Sequence, residues 1–196
     1  MFILGLTGSI GMGKSTTAKM FAEEGCALWN ADAAVHRLYA KGGAAVGPLQ
    51  EAFPQAISDG AVSRDTLRGI IADDPGALKR IEAIVHPLVA ADRAAFLSET
   101  TADIAVLDIP LLFETGGEKL ADAVVCVSVP AELQEKRVME RGTMTREQFA
   151  HIRDKQLPDA EKRARSDYVI ITDTVEHARA QVQNIVRQIR EKMANA

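Results

Sequence analysis

A chain of 196 residues that is 47% hydrophobic and 26% charged can build one sizeable core and is short for two full domains. Its formal net charge of −4 argues against a general nucleic-acid binder. Only two cysteines are present, no apolar run reaches membrane-spanning length, and the amino-terminal residues lack a basic leader region; these features exclude a disulfide framework and a C-x-x-C metal site, and predict a cytoplasmic protein with no membrane partner.

The first stretch, Phe2 to Thr7, reads as a buried strand, and Gly8 to Ser15 then matches G-x-x-x-x-G-K-S/T, the phosphate-binding P-loop. Glycines allow strained dihedrals and close backbone approach, so successive N–H groups can form an anion nest at the start of a helix. ATP is therefore expected against Gly11, Met12, Gly13, Lys14, Ser15 and Thr16, with Lys14 reaching the β- and γ-phosphates and the Ser15 hydroxyl binding Mg²⁺. Helical spacing from Ser15 to Glu24 ends at Gly25, a short strand covers Cys26 to Trp29, and a second helix is predicted from Ala33 to Ala40. Asp32, between them, has two readings: acceptor of a proton from a substrate hydroxyl, or cap of the helix beginning at Ala33.

From Gly42 to about Thr101 the pattern is helical without clear strands, punctuated by Pro48, Pro54 and Pro75, with Ser63 and Asp65 as helix-start residues. His86-Pro87 is expected to begin a longer helix through Leu97, with Pro87 in its first turn. His86 itself can be a helix-start residue, a core histidine or a substrate contact, and His36-Arg37 can meet an anionic substrate.

Ile104 to Ile109, Ala123 to Val129 and Tyr168 to Thr172 are three more strands, each continuously apolar, as in parallel strands buried on both faces. The cysteines, Cys26 and Cys126, sit in such runs as buried thiols. Asp108 closes the third strand, where an acid facing Mg²⁺ or a strand-end hydrogen bond is expected; Glu114 can position the P-loop or substrate, or be solvated. Between the fourth and fifth strands a helix from Ala131 ends near Gly142, and Thr145 with Gln148 forms a capping box for the next. Arg137, Arg141, Arg146, Arg153, Lys155, Lys162, Arg163 and Arg165 crowd this segment, which reads as a lid over phosphates. For most of them a salt-bridged surface is the expectation; Arg137 and Arg141, four apart on one helix face, are the catalytic candidates. An amphipathic helix from Val175 to Met193 ends the chain, with Asp173 as cap and Glu176 three residues later. Strands alternating with helices give an α/β doubly wound sheet with ligands beyond the carboxyl ends of the strands.

Together these stretches resemble the dephospho-CoA kinase family. The resemblance rests on Gly5 to Ser15, on Ala31-Asp32 with Val35-His36-Arg37, on Ile84 to Val89 around His86-Pro87, on Asp108 to Glu114, and on Arg137 with Arg141 and Gln156 with Lys162. It implies a three-layer P-loop kinase fold with a five-stranded parallel sheet in the order 2-3-1-4-5, a core of about 1–30, 102–130 and 166–196, a helical CoA-binding region of about 31–101 and a lid of about 131–165. It further implies transfer of the ATP γ-phosphoryl group to the ribose 3′-hydroxyl of dephospho-CoA, with Mg²⁺ as cofactor and Asp32, His86, Asp108 and Glu114 on the substrate side, in a monomer or small homo-oligomer. Two positions depart from the family pattern: Asn30 stands where an acid is common, and Ile171-Thr172-Asp173-Thr174 lacks the asparagine expected near adenine.

Other readings of a P-loop fit less well. No N-K-x-D for guanine exists, and Asp73 to Gly76 matches the GTPase D-x-x-G only inside the helical stretch. Asp108 is followed by Ile109 and not by the second acid of a motor ATPase. A kinase for another small hydroxylated metabolite, such as a nucleoside or shikimate, shares the same physics, and a nucleotide-binding module without turnover is the non-enzyme alternative.

Overall fold

The computed structural model describes residues 1–195; the last residue of the expected core, 196, lies outside them. Two compact units make up the chain, one of Met1–Trp29 with the described part of Thr100–Ala196, the other Asn30–Glu99.

In the first unit, β1 (Phe2–Thr7) leads through the glycine loop into α1 (Lys14–Glu23), and β2 (Ala27–Asn30) follows the turn at Gly25. The second unit contains α2 (Ala31–Tyr39), α3 (Val46–Ala52), the two-residue strands β3 (Ile57–Ser58) and β4 (Ala61–Val62), α4 (Arg64–Asp73) and α5 (Ala77–Glu99). The chain returns to the first unit with β5 (Ile104–Asp108), β6 (Ala123–Ser128), α6 (Ala131–Glu140), α7 (Arg146–Lys155), α8 (Asp159–Ala164), β7 (Tyr168–Ile171) and α9 (Val175–Ala194).

The sheet runs β2-β5-β1-β6-β7, which is 2-3-1-4-5 counting its own strands in chain order, as expected. β1 pairs parallel with β5 from Phe2↔Ile104 to Leu6↔Asp108, and with β6 from Leu4↔Ala123 to Thr7↔Cys126. β6 in turn pairs parallel with β7. On one face Leu4, Leu6, Val106, Val125, Val127 and Ile170 pack against Met20 and Phe21 of α1 and Val182, Val186 and Ile189 of α9. On the other, Leu112 and Phe113 meet Val124, and Leu112 lies so near Gly5 that a Cβ there would stand 3.0 Å from its Cδ2. This buries both faces and accounts for the unbroken apolar strands. The exposed edge at β7 is closed by Gln181, whose side-chain amide donates to the Ile171 carbonyl at 2.9 Å and accepts from its N–H at 3.0 Å.

The helical unit has its own core of Leu49, Phe53, Leu67, Ile81 and Val85. Three expectations need correcting here. First, this stretch does contain strands: Asp59 and Gly60, both at positive φ, turn β3 into β4 as an antiparallel hairpin. Second, His86-Pro87 does not begin a helix. α5 starts at Ala77, nine residues before His86, after a turn in which Asp74 accepts from the Gly76 N–H at 2.8 Å, and Pro87 sits inside it, with no N–H to give the Ala83 carbonyl. Third, α2 starts at Ala31 with Asn30 as its cap, accepting from the Ala33 N–H at 2.8 Å, so capping is not Asp32's role. In the first unit the same kind of correction applies to α9: its cap is Thr174, which accepts from the His177 N–H at 3.1 Å, and Asp173 lies one residue outside. The capping box of Thr145 and Gln148 at α7 is present as expected.

Candidate active site

The glycine loop is shaped by what presses on it. Gly11 and Gly13 have φ of +79° and +88°, which side-chain-bearing residues rarely adopt, and a Cβ at Gly11 would stand 2.6 Å from Val138 Cγ2 on α6. Gly8 needs its small size instead: a Cβ there would fall 2.3 Å from Val127 Cγ2. α1 begins at Lys14 with Gly13 as its cap residue and no side-chain cap, so its first N–H groups have no capping side chain and the helix dipole stands behind them. Ser15 and Thr16 are exposed on that first turn, whereas the Met12 side chain is buried.

Parallel register brings the strand ends together at this edge. The Lys14 ammonium is ion-paired with Asp108, whose side chain is 2% exposed. A buried carboxylate so placed holds the lysine at the mouth of the loop. Beyond Asp108, Pro110 turns the chain and its carbonyl accepts from Thr7 Oγ1 at 3.0 Å. Glu114 accepts from Lys162 Nζ at 2.9 Å and from the Leu157 N–H at 2.9 Å. Burial alone would push its carboxyl up, but the Lys162 hydrogen bond and the Leu157 amide outweigh it and hold the group below the usual carboxylate value. Lys162 has no exposed surface, so the expectation of a surface ion pair for this residue is wrong.

Arg137 reaches across to the β7–α9 turn, donating to Thr172 Oγ1 at 3.1 Å and to the Thr172 carbonyl at 2.6 Å. The Thr172 hydroxyl donates to the Met12 carbonyl at 2.7 Å, tying the turn to the glycine loop. Asp173 is held below the usual carboxylate range, first by its hydrogen bond with His177 and then by the Thr174 N–H. Gly13 and Thr16, with Arg137, Arg141, Thr172 and Asp173, line a cleft of about 560 Å³. The first unit thus brings Lys14, Ser15, Asp108, Arg137 and Arg141 to one edge. Asp32 and His86 belong to the helical unit, Asp32 exposed in the first turn of α2 and His86 exposed in mid-α5. Sequence reasoning missed Thr172 and Gln134 altogether; the departure at residues 171–174 was the one hint that this turn matters.

As for a divalent ion, no cluster of three or more His, Cys, Asp or Glu exists among the described residues. A hydroxyl at the loop exit and one buried carboxylate are a donor set that suits Mg²⁺ held chiefly by phosphate oxygens and water, so the residues fit that ion.

A dephospho-CoA kinase family model matches residues 2–177. The dephospho-CoA kinase of Ruegeria pomeroyi is 72% identical over 189 residues, covering 96% of each chain. Among solved structures, one from Thermus thermophilus superposes with a TM-score of 0.84 at 33% identity, over 95% of this chain and 96% of that one. The dephospho-CoA kinase from Campylobacter jejuni gives a TM-score of 0.72 at 24% identity over 97% and 98%, a likeness of fold. With the glycine loop, the Asp108–Glu114 stretch and the paired arginines all standing at one sheet edge, the match over nearly the whole length leads to one conclusion: this chain belongs to the dephospho-CoA kinase family.

Proposed function

We propose that Mg·ATP binds with its triphosphate on the Gly8–Ser15 loop and its base in the cleft beside Arg137, and that the γ-phosphoryl group passes to the ribose 3′-hydroxyl of dephospho-CoA. As a member of its family the chain is an ATP-dependent phosphotransferase acting on an alcohol group, and it converts dephospho-CoA to coenzyme A. The observation that carries the finer reading is the Lys14–Asp108 pair at the mouth of an uncapped helix start. Lys14 is within reach of the β- and γ-phosphates on leaving Asp108, and the Asp108 carboxylate then faces the ion or the acceptor. Ser15 and Asp108 are the residues that would hold Mg²⁺, which supplies neutralisation of charge on the β- and γ-oxygens.

Phosphoryl transfer is loose at the transition state, so positioning and charge do most of the work. Arg137 and Arg141 present guanidinium groups that match charge spreading over the transferring group. Asp32, in the first turn of α2, is our candidate to orient the attacking hydroxyl and accept its proton; Arg137 and Lys14 complete the catalytic set. His86 and Glu114 are assigned to the substrate side, Glu114 through the loop it holds. The helical unit is read as the CoA-binding region and residues 131–165 as the lid. We place the enzyme in the cytoplasm as a monomer or small homo-oligomer without a nucleic-acid partner, a reading the net charge of −4 supports. Among the described residues no helix is long and apolar enough to cross a membrane.

An ADP-release assay across dephospho-CoA, adenosine, nucleoside monophosphates and shikimate tests this. Dephospho-CoA alone should support turnover; activity on another acceptor with dephospho-CoA inert overturns it. In the same assay Asp32→Asn should lower kcat on the order of a hundredfold with ATP affinity held, as loss of a positioned base does. Equal loss of both would recast Asp32 as a binding or folding residue.

A further inference from the structure

Ile10 of the phosphate loop is held at both its N–H and its carbonyl by side chains from the segment between β6 and β7. Gln134 Nε2, on α6, donates to the Ile10 carbonyl at 2.7 Å, and the Ile10 N–H donates to Gln156 Oε1, at the end of α7, at 3.2 Å. Gln134 is 4% exposed and packs over Gly11, where a Cβ would meet its Cγ at 3.3 Å. Gln156 is fixed in turn by its neighbour Leu157, whose N–H is bound to Glu114 opposite the buried Lys162. The two glutamines therefore stand at the two roots of the segment that carries Arg137 and Arg141.

Trans peptide geometry makes this grip directional, and the chain has no cis peptide bonds among the described residues. In a trans unit the N–H and C=O point opposite ways. Gln134, by drawing the Ile10 carbonyl toward α6, turns the Gly11 N–H away from α6 and into the loop. Gln156, by taking the Ile10 N–H, turns the Ser9 carbonyl inward, where it accepts from the Met12 N–H at 3.2 Å. Losing the Gln134 bond loosens the Ile10–Gly11 peptide, and losing the Gln156 bond leaves the Ser9–Ile10 peptide held only at its carbonyl, by the Met12 N–H.

From this we infer that Gln134 and Gln156 are positioning residues that couple the lid to the phosphate loop through the Ile10 peptides. When the roots of the lid are seated, the loop amides are aimed at the triphosphate; when they shift, the aim is lost. The coupling rests on the proposed ATP site, and its test separates the two.

Calorimetry of Mg·ATP binding should be run on Gln134→Leu, Gln156→Leu, the double variant and Lys14→Ala. Each leucine should weaken ATP binding about fivefold, the worth of one neutral hydrogen bond, with the KM for dephospho-CoA unmoved. The double variant should lose less than the product of the two, because the two peptides they hold meet at one residue, Ile10, and loosening either disturbs the other. A product realised in full would mean two independent braces and would overturn the coupling. So would unchanged ATP affinity in both single variants alongside abolished binding in Lys14→Ala, an outcome that leaves the ATP site standing. ATP binding to Lys14→Ala as to the parent would instead remove the site reading. A fall in thermal stability with ATP and dephospho-CoA affected alike would mark the glutamines as merely structural and also overturns the inference. Gln156, half-buried where Gln134 is buried, carries the test alone if Gln134→Leu does not fold.

Discussion

Lys162 has no solvent-exposed surface, and its ammonium is satisfied by Glu114 at 2.9 Å with the Pro110 carbonyl at 3.4 Å. A charge taken wholly out of water is tolerated only while its partner remains. Removing Glu114 alone should therefore cost more than removing both charges. We expect Glu114→Leu to lose on the order of 3 kcal/mol in urea unfolding, and Lys162→Met with Glu114→Leu to recover much of it. A pH dependence follows from the same pair. The folded carboxyl of Glu114 lies below its ordinary value of 4.5, because Lys162 and the Leu157 amide outweigh burial. Its contribution is thus complete above that value and is lost as pH falls through the folded value. The stability gap between the parent and Glu114→Gln should narrow below pH 4.5; a gap that widens there contradicts the assignment.

Among the elements, the strands were legible because a parallel sheet covered on both faces demands unbroken apolar runs, and Ile104–Asp108 and Ala123–Ser128 supply them. The glycine loop was legible because its backbone conformation restricts composition directly. The cap at Thr145 was legible because Gln148, three residues on, completes a reciprocal box, whereas at Asn30 and Thr174 a neighbouring aspartate offered an equally plausible cap. That box should matter measurably: α7 is only ten residues, and Thr145→Ala should lower stability by about 1 kcal/mol in chemical unfolding, whereas Thr145→Ser should restore it. Pro87 misled, because a proline signals a helix start only where nothing packs the preceding turn, and here Ile81 and Val85 bury that turn in the helical unit's core. The roles of Gln134 and Thr172, and the burial of Lys162, stayed hidden for a different reason. Their partners lie 124, 160 and 52 residues away, and nothing local distinguishes a glutamine or threonine that braces a distant loop from one that meets water.

At the scale of the whole chain, the path between two neighbouring parallel strands is the main departure from a minimal α/β fold. β2 and β5 lie side by side, yet the connection between them is the complete unit Asn30–Glu99 and not a single crossover helix. That unit buries its own apolar side chains, Leu49 and Phe53 among them, so its local stability is set apart from that of the sheet. A division of labour is expected to follow. Mg·ATP, bound on the glycine loop and in the Arg137 cleft, should slow amide hydrogen exchange most in 8–20 and 134–178. Dephospho-CoA should slow it most in 30–99. Ligands stabilise whatever conformation they bind in proportion to occupancy, so saturating each one separately gives maps that can be compared directly. If dephospho-CoA left 30–99 unchanged while protecting the cleft, the acceptor would have to bind on the sheet unit, and the assignment of the helical unit to CoA would be wrong.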